Sequence, residues 1–223
     1  MGSKLSLPSA TRWETNPYQQ EWGERDYLYV RGGVKEIPKH ACKRTYRVSK
    51  PFITSYRNAV DIGCRDGEFT RYLHLDFAHV YAFDPRRTWR FPFNVDLKKV
   101  THFQCALGSE AGETEMFKGA HVPHGEVPPR TVRVFTLDMF DLQNVDYIKI
   151  DVEGFEKKVL LGAARTIERY SPLIVLEQND AVIEGETRYS AKLYLESIGY
   201  RQVAVDKRGW DFVMARSAPL AER

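Results

Sequence analysis

The sequence is poor in cysteine. Its three, Cys42, Cys64 and Cys105, are scattered, odd in number and form no Cys-x-x-Cys pair. That argues against a zinc site or a disulfide framework and fits a reducing, cytoplasmic setting. Long apolar runs are missing too. None approaches the roughly 20 residues a membrane helix needs, and no signal-peptide core is present, so no membrane partner is expected. Met1–Ser6 fits a myristoylation pattern, but lipidation is not the expectation. Net charge of one sign is also scarce. The formal balance of +3 is too small to imply nucleic acid by itself. There are no internal repeats, low-complexity tracts or linkers, so one domain is expected.

What is present is an ordinary globular chain of 223 residues, 13% of them aromatic, long enough for a real core. Residues 1–55 are irregular and rich in aromatics, among them Trp13, Tyr18, Trp22, Tyr27, Tyr29 and Tyr46. That is too many for a solvated tail, so the segment reads as an extension packed on a core formed by residues 56–223. A short helix is expected around Gln19–Tyr29. The loose basic run Lys35, Lys39, His40, Lys43, Arg44 and Arg47 reads as a solvated face rather than an anion site.

The most informative stretch is Val145–Glu156. It reads as a strand with Ile148, Ile150 and Val152 on one face and Lys149, Asp151 and Glu153 on the other. Gly154 and a helix follow. Buried strands usually avoid charge, so three ionisable residues at one strand tip suggest a site. The alternative is an edge strand with one wet face.

The remaining elements come in order. Asn58–Ile62 is a short strand running into Gly63-Cys64-Arg65-Asp66-Gly67, and Glu68–Leu75 has helical spacing. A glycine turn between strand and helix lets backbone approach a ligand. The spacing is not Gly-x-Gly-x-x-Gly, which weakens the case for a dinucleotide. Ala78–Phe83 is the second strand. It ends at Asp84-Pro85, where an acid about 20 residues past the turn can accept two bonds from a ribose diol. The crossover Arg86–Lys99 looks short and distorted, and Thr101–Leu107 is the third strand. Glu113–Lys118 and Thr131–Leu137 read as a further strand pair. The Pro/Gly loop between them holds His121 and His124, two histidines that could face a substrate.

Phe155–Arg169 is one amphipathic helix, Pro172–Glu177 a buried strand and Thr187–Ile198 the last helix. Tyr200–Val205 and Trp210–Ala215 close as a hairpin. The order is that of a doubly wound, mostly parallel α/β sheet with an antiparallel strand near one edge. Ligands of such sheets bind beyond the carboxyl ends of the strands, where Asp61, Gly63, Asp84, Ala106, Leu107, Asp151, Glu153 and Glu177 all fall.

Several of these stretches together resemble the FkbM-type methyltransferases. The likeness runs over roughly Asn58–Gly199. It rests on Val60–Gly67, Tyr81–Pro85, Ala106–Ser109, Thr136–Asp138, Asp146–Glu156 and Val159–Ala163. The resemblance implies a Rossmann-like methyltransferase fold with a seven-stranded sheet, and S-adenosylmethionine as cofactor. It also implies methylation of a hydroxyl on a small-molecule or glycan acceptor, such as a sugar or secondary metabolite. By the same resemblance, the turn Asp61, Gly63, Cys64, Arg65, Asp66 and Gly67 would hold the methionine part through backbone N–H groups. Asp84, followed by Pro85, would take the ribose, and Ala106 and Leu107 would lie against the adenine. Asp151 and Glu153 would stand near the reacting methyl. Two positions depart from the family pattern: Asp66 where Asn is usual, and Asp84 where Glu is usual.

Asp151 is the first candidate for a base that accepts the acceptor's proton, with Glu153 second. Lys149 is expected to pair with a carboxylate, Glu177 being the candidate, because an unpaired buried charge is costly. Glu177 and Asn179 could otherwise line the acceptor pocket. A divalent ion on Asp151, Glu177 and Asn179 is a variant the spacing permits without demanding, and no metal is expected. The other readings are a nucleic-acid methyltransferase, suggested by the basic N-terminal run, and a non-catalytic module that keeps the fold.

Overall fold

The structure is a computed structural model and describes residues 6–13, 27–30, 33–36, 41–116, 129–178 and 183–216. In chain order the strands are β1 (Tyr27–Val30), β2 (Gly33–Glu36), β3 (Asn58–Ile62), β4 (His79–Phe83), β5 (Val100–Phe103), β6 (Ala106–Leu107), β7 (Gly112–Met116), β8 (Arg130–Phe135), β9 (Val145–Ile150), β10 (Leu173–Glu177), β11 (Tyr200–Val205) and β12 (Asp211–Arg216). The helices are α1 (Ala41–Ser49), α2 (Thr70–Asp76), α3 (Phe91–Asn94), α4 (Glu156–Leu161), α5 (Ala164–Tyr170) and α6 (Ser190–Ser197). Among the described residues no helix is long and apolar enough to cross a membrane.

Seven strands form the main sheet in the order β11-β12-β10-β9-β3-β4-β5. β10, β9, β3, β4 and β5 run parallel, and β12 is antiparallel to both its neighbours. Chain order reverses between β3 and β9, which makes their carboxyl ends the switch-point crevice of the sheet.

β9 is central and covered on both faces. Ile148 and Ile150 belong to one apolar cluster with Val159, Leu160 and Ile174. Tyr147 belongs to the other, with Phe69, Leu73 and Phe77. The wet-edge alternative therefore falls. Lys149, on the Tyr147 face, is buried as well.

Three expectations change. Tyr27–Val30 is a strand paired antiparallel with β2, not the end of a helix; the rest of the proposed Gln19–Tyr29 helix lies outside the described residues. The expected third strand is two pieces. Cys105 N–H donates back to Phe103 O at 3.0 Å, and β6 leaves the main sheet to pair parallel with β8, whose other edge takes β7 antiparallel. The expected Phe155–Arg169 helix is also broken. The Asp138 carboxylate accepts from the Arg165 and Thr166 N–H groups, both at 2.9 Å, and so starts α5 afresh. A Cβ on Gly162, at the break, would lie 1.9 Å from Gly108 O.

The described pieces of the first 55 residues pack on this frame. Thr11 N–H donates to His102 O at 2.7 Å, and Trp13 stacks on Phe91 with ring centroids 5.4 Å apart. In α1, Tyr46 packs against Phe69 and Tyr147, and Thr45 Oγ1 donates to Asp211 Oδ2 at 2.7 Å.

Candidate functional site

The parallel register sets Asp61 beside Lys149 and Lys149 beside Val175, while the antiparallel one sets Glu177 beside Asp211. A cavity of about 200 Å³ opens at these strand ends, roofed by Ala41, Cys42 and Thr45 of α1. Five carboxylates line it, Asp61, Glu68, Asp151, Glu177 and Asp211, against three cations, Arg65, Lys149 and Arg208.

Gly63 is what allows β3 and β9 to meet here. Its φ is +85°, and a Cβ would sit 1.8 Å from Asp151 O. Asp151 N–H donates to Ile62 O at 2.9 Å, tying the two strand tips together. The turn does not leave the free N–H groups that were expected. Gly63 and Cys64 N–H both donate to Phe83 O, Gly67 N–H to Cys64 O, and Arg65 N–H to Asp84 Oδ2. A ligand here meets side chains and carbonyls of the turn rather than these four donors.

The charges are arranged around Lys149, whose side chain is only 4% exposed. Its Nζ lies 3.7 Å from Asp151 Oδ2 and 3.9 Å from Asp211 Oδ1. Burial disfavours this ammonium, but Asp151, Asp211 and Glu177 more than reverse that and hold its pKa above the usual lysine value. The pairing expected with Glu177 is thus made with Asp151 and Asp211, with Glu177 nearby. Asp151, 37% exposed, lines the cavity together with Glu177. Burial raises the Asp151 pKa, but Lys149 and the neighbouring Glu177 carboxyl pull it below the ordinary carboxylate value. Glu177 is pushed up to about 9 by burial and by the neighbouring Asp151 charge. The two therefore share a proton that resides on Glu177. Burial also raises Asp61 to about 6, against the opposing pull of the Thr70 hydroxyl, which donates to its Oδ2, and of Lys149.

The other predicted residues are placed as follows. Asp84, 2% exposed, accepts Arg65 N–H at 2.9 Å and Arg86 N–H at 2.8 Å, and its carboxylate also holds the Arg86 guanidinium. Asp66 is fully buried with Arg90 Nε 3.0 Å from its Oδ2, so its charge is balanced away from the cavity. The Pro85 carbonyl accepts from Arg130 at 3.1 Å. Ala106 and Leu107 are buried in the β6–β8 ladder and do not line the cavity. Glu153 has φ +56° and also lies outside the cavity lining. His121, His124 and Asn179 are outside the described residues.

The structure adds four residues that sequence reasoning passed over. Asp211, Thr45 and Arg208 form one wall, with Arg208 Nη2 3.3 Å from Asp211 Oδ2. The available signal was an acid heading the apolar run Phe212–Ala215. Glu156 is the fourth. Its carboxylate accepts from the Val152 and Gly154 N–H groups at 3.1 Å and so shapes the turn after Asp151. Burial raises it to about 7 although these N–H groups oppose the shift.

Comparison with known proteins places this arrangement. The family model of the methyltransferase FkbM domain matches residues 61–201, close to the span marked by the sequence motifs. No curated protein sequence matches the chain. Among solved structures, the chain is similar to methyltransferase FkbM from Methylobacillus flagellatus KT, with a TM-score of 0.50 and 18% identity. That match covers 77% of this chain and 47% of the other, so the chain spans about half the length of that protein. It is also similar to precorrin 8w decarboxylase of Methanobacterium thermoautotrophicum, with a TM-score of 0.47, 15% identity and coverage of 86% and 97%. A third is the N-methyltransferase NodS of Bradyrhizobium japonicum, solved with S-adenosyl-L-homocysteine. It has a TM-score of 0.40, 12% identity and coverage of 79% and 87%.

Proposed function

The chain belongs to the FkbM methyltransferase family, and we propose that it is an S-adenosylmethionine-dependent O-methyltransferase acting on a hydroxyl of a small-molecule or glycan acceptor. The observation that carries this reading is the charge of the cavity at the β3 and β9 tips. Five carboxylates face three cations there, and one carboxyl keeps its proton. The remaining excess of negative charge suits a ligand that brings both a sulfonium and an ammonium, while Arg65 in the cavity lining is a cation for its carboxylate. When bound, S-adenosylmethionine supplies an electrophilic methyl on a cationic sulfur.

In this reading the chain's own residues do three things. Asp84 holds the ribose, and Asp61, Asp151 and Asp211 provide the negative field for the cationic end. α1, fixed to the sheet through Thr45 and Asp211, roofs the cavity and restricts water. Asp151 accepts the proton of the acceptor hydroxyl as the new bond forms. It is ionised, exposed to the cavity and backed by Lys149. Glu153 keeps at most a secondary role, because it is not among the residues that line the cavity.

Calorimetric titration with S-adenosylhomocysteine tests the proposal. One site per chain is expected, with affinity reduced in Asp84→Ala. Absence of binding removes the methyltransferase reading in favour of a non-catalytic module of the same fold.

A further inference from the structure

We propose that Arg86 is a latch on the ribose-binding acid: its guanidinium occupies the positions on Asp84 that the ribose hydroxyls need, and it must leave before the nucleoside can seat. This rests on the reading of Asp84 as the ribose acceptor.

A carboxylate offers about four lone-pair positions, and all are filled at Asp84. Oδ1 receives Arg86 N–H at 2.8 Å and Arg86 Nε at 3.1 Å. Oδ2 receives Arg65 N–H at 2.9 Å and Arg86 Nη2 at 3.2 Å. The two amide bonds are fixed by the chain. The two guanidinium bonds come from a side chain that is 33% exposed and can return to water. A vicinal diol presents two donors at a similar spacing, so it competes for those two positions. The neighbouring cations are otherwise engaged. Arg87 lies over the Trp13 ring at 5.1 Å and donates to Arg12 O, and Arg90 pairs with Asp66. The latch is short-range, two residues from its acid, and therefore costs little ordering entropy to close.

Such a contact trades cofactor affinity against stability. The test is Arg86→Met, which keeps the stem and removes the fork. We expect S-adenosylhomocysteine to bind about three- to tenfold tighter, the scale set by a part-exposed ion pair, while the melting temperature falls. 5′-Methylthioadenosine, which has the diol but no amino-acid end, should gain by the same factor. Arg86→Lys, which keeps the charge without the two-pronged bond, should lie between parent and Met and serves if Arg86→Met does not fold. Unchanged or weaker binding in the Arg86 variants, beside a weakened Asp84→Ala, overturns the latch alone. If the parent binds no S-adenosylhomocysteine, or Asp84→Ala binds as the parent does, the ribose reading falls and the latch with it.

Discussion

The Lys149 ammonium lies 3.7 Å from Asp151 Oδ2 at the tip of β9, and Glu177 lines the same cavity. Two carboxylates in one buried site resist being ionised together, so one keeps a proton. Lys149 decides where it sits: the carboxylate closer to the ammonium is the ionised one, and Glu177 keeps the proton. The site thus holds a base and a reserve acid side by side, built from two adjacent parallel strands.

The pair makes stability depend on pH. Glu177 has an ordinary value of 4.5 and is raised to about 9 by burial, with Asp151 adding to it. Between those values the folded state binds more protons than the unfolded chain, so this contribution to stability falls as pH rises. Asp61, raised to about 6, and Glu156, raised to about 7, act in the same direction but have largely finished titrating by about pH 8. Glu177→Gln keeps the shape and removes the titration. It should stabilise the protein at pH 8.5 relative to pH 5.5, by on the order of 2 kcal/mol. Urea denaturation at the two pH values reads this directly. An equal effect at both would show that Glu177 carries no proton above pH 6.

Asp151→Asn preserves shape but cannot take a proton from an acceptor. Lys149 keeps Asp211 as a partner at 3.9 Å, so the fold should survive. We expect S-adenosylhomocysteine affinity within about threefold of the parent and turnover lower by roughly 10²–10⁴, the usual share of a positioned base. Product formation against a panel of sugars and polyhydroxylated metabolites measures it. Parental turnover in the variant would remove Asp151 from the chemistry.

Gly63→Ala should be among the most damaging single changes. The new methyl would lie 1.8 Å from Asp151 O, and the residue would be held at φ +85°. Pushing β3 from β9 breaks the Asp151–Ile62 bond and opens the cavity floor. A loss of about 3 kcal/mol or more is expected, from strain and overpacking together. Chemical denaturation of the variant checks it; a chain as stable as the parent would mean that the two strand tips are not in contact.

Much of this was readable because the relevant residues lie close together along the chain. Val145–Glu156 announces a buried strand tipped with charge, and Asp61–Gly67 announces a strand, turn and helix; both hold in the fold. The family resemblance also marked the stretches holding Asp138 and Gly162, whose roles are structural. The first starts α5, and the second leaves no room for a Cβ against Gly108 O. What escaped were features settled by distant parts of the chain. Whether Ala106–Leu107 continues β5 or joins β8 depends on an edge about 25 residues later, visible only in the pairing register. Asp211 and Thr45 meet across 166 residues, and no spacing rule connects them. The turn N–H groups read as free because glycine permits a ligand to approach, yet Phe83 O and Asp84 take three of them. Arg86, two residues after Asp84, was visible in the sequence, but that its side chain folds back onto the acid is a matter of geometry.

In the proposed reading the tips of β3, β4 and β9 together hold one cofactor. A crystal structure of the complex with S-adenosylhomocysteine tests this most directly. The ribose hydroxyls are expected on Asp84 with the Arg86 guanidinium displaced, the amino-acid end in the acidic cavity under α1, and the sulfur facing Asp151. A nucleoside bound elsewhere, with the Asp84–Arg86 pair intact and the cavity at Asp151 untouched, would contradict it.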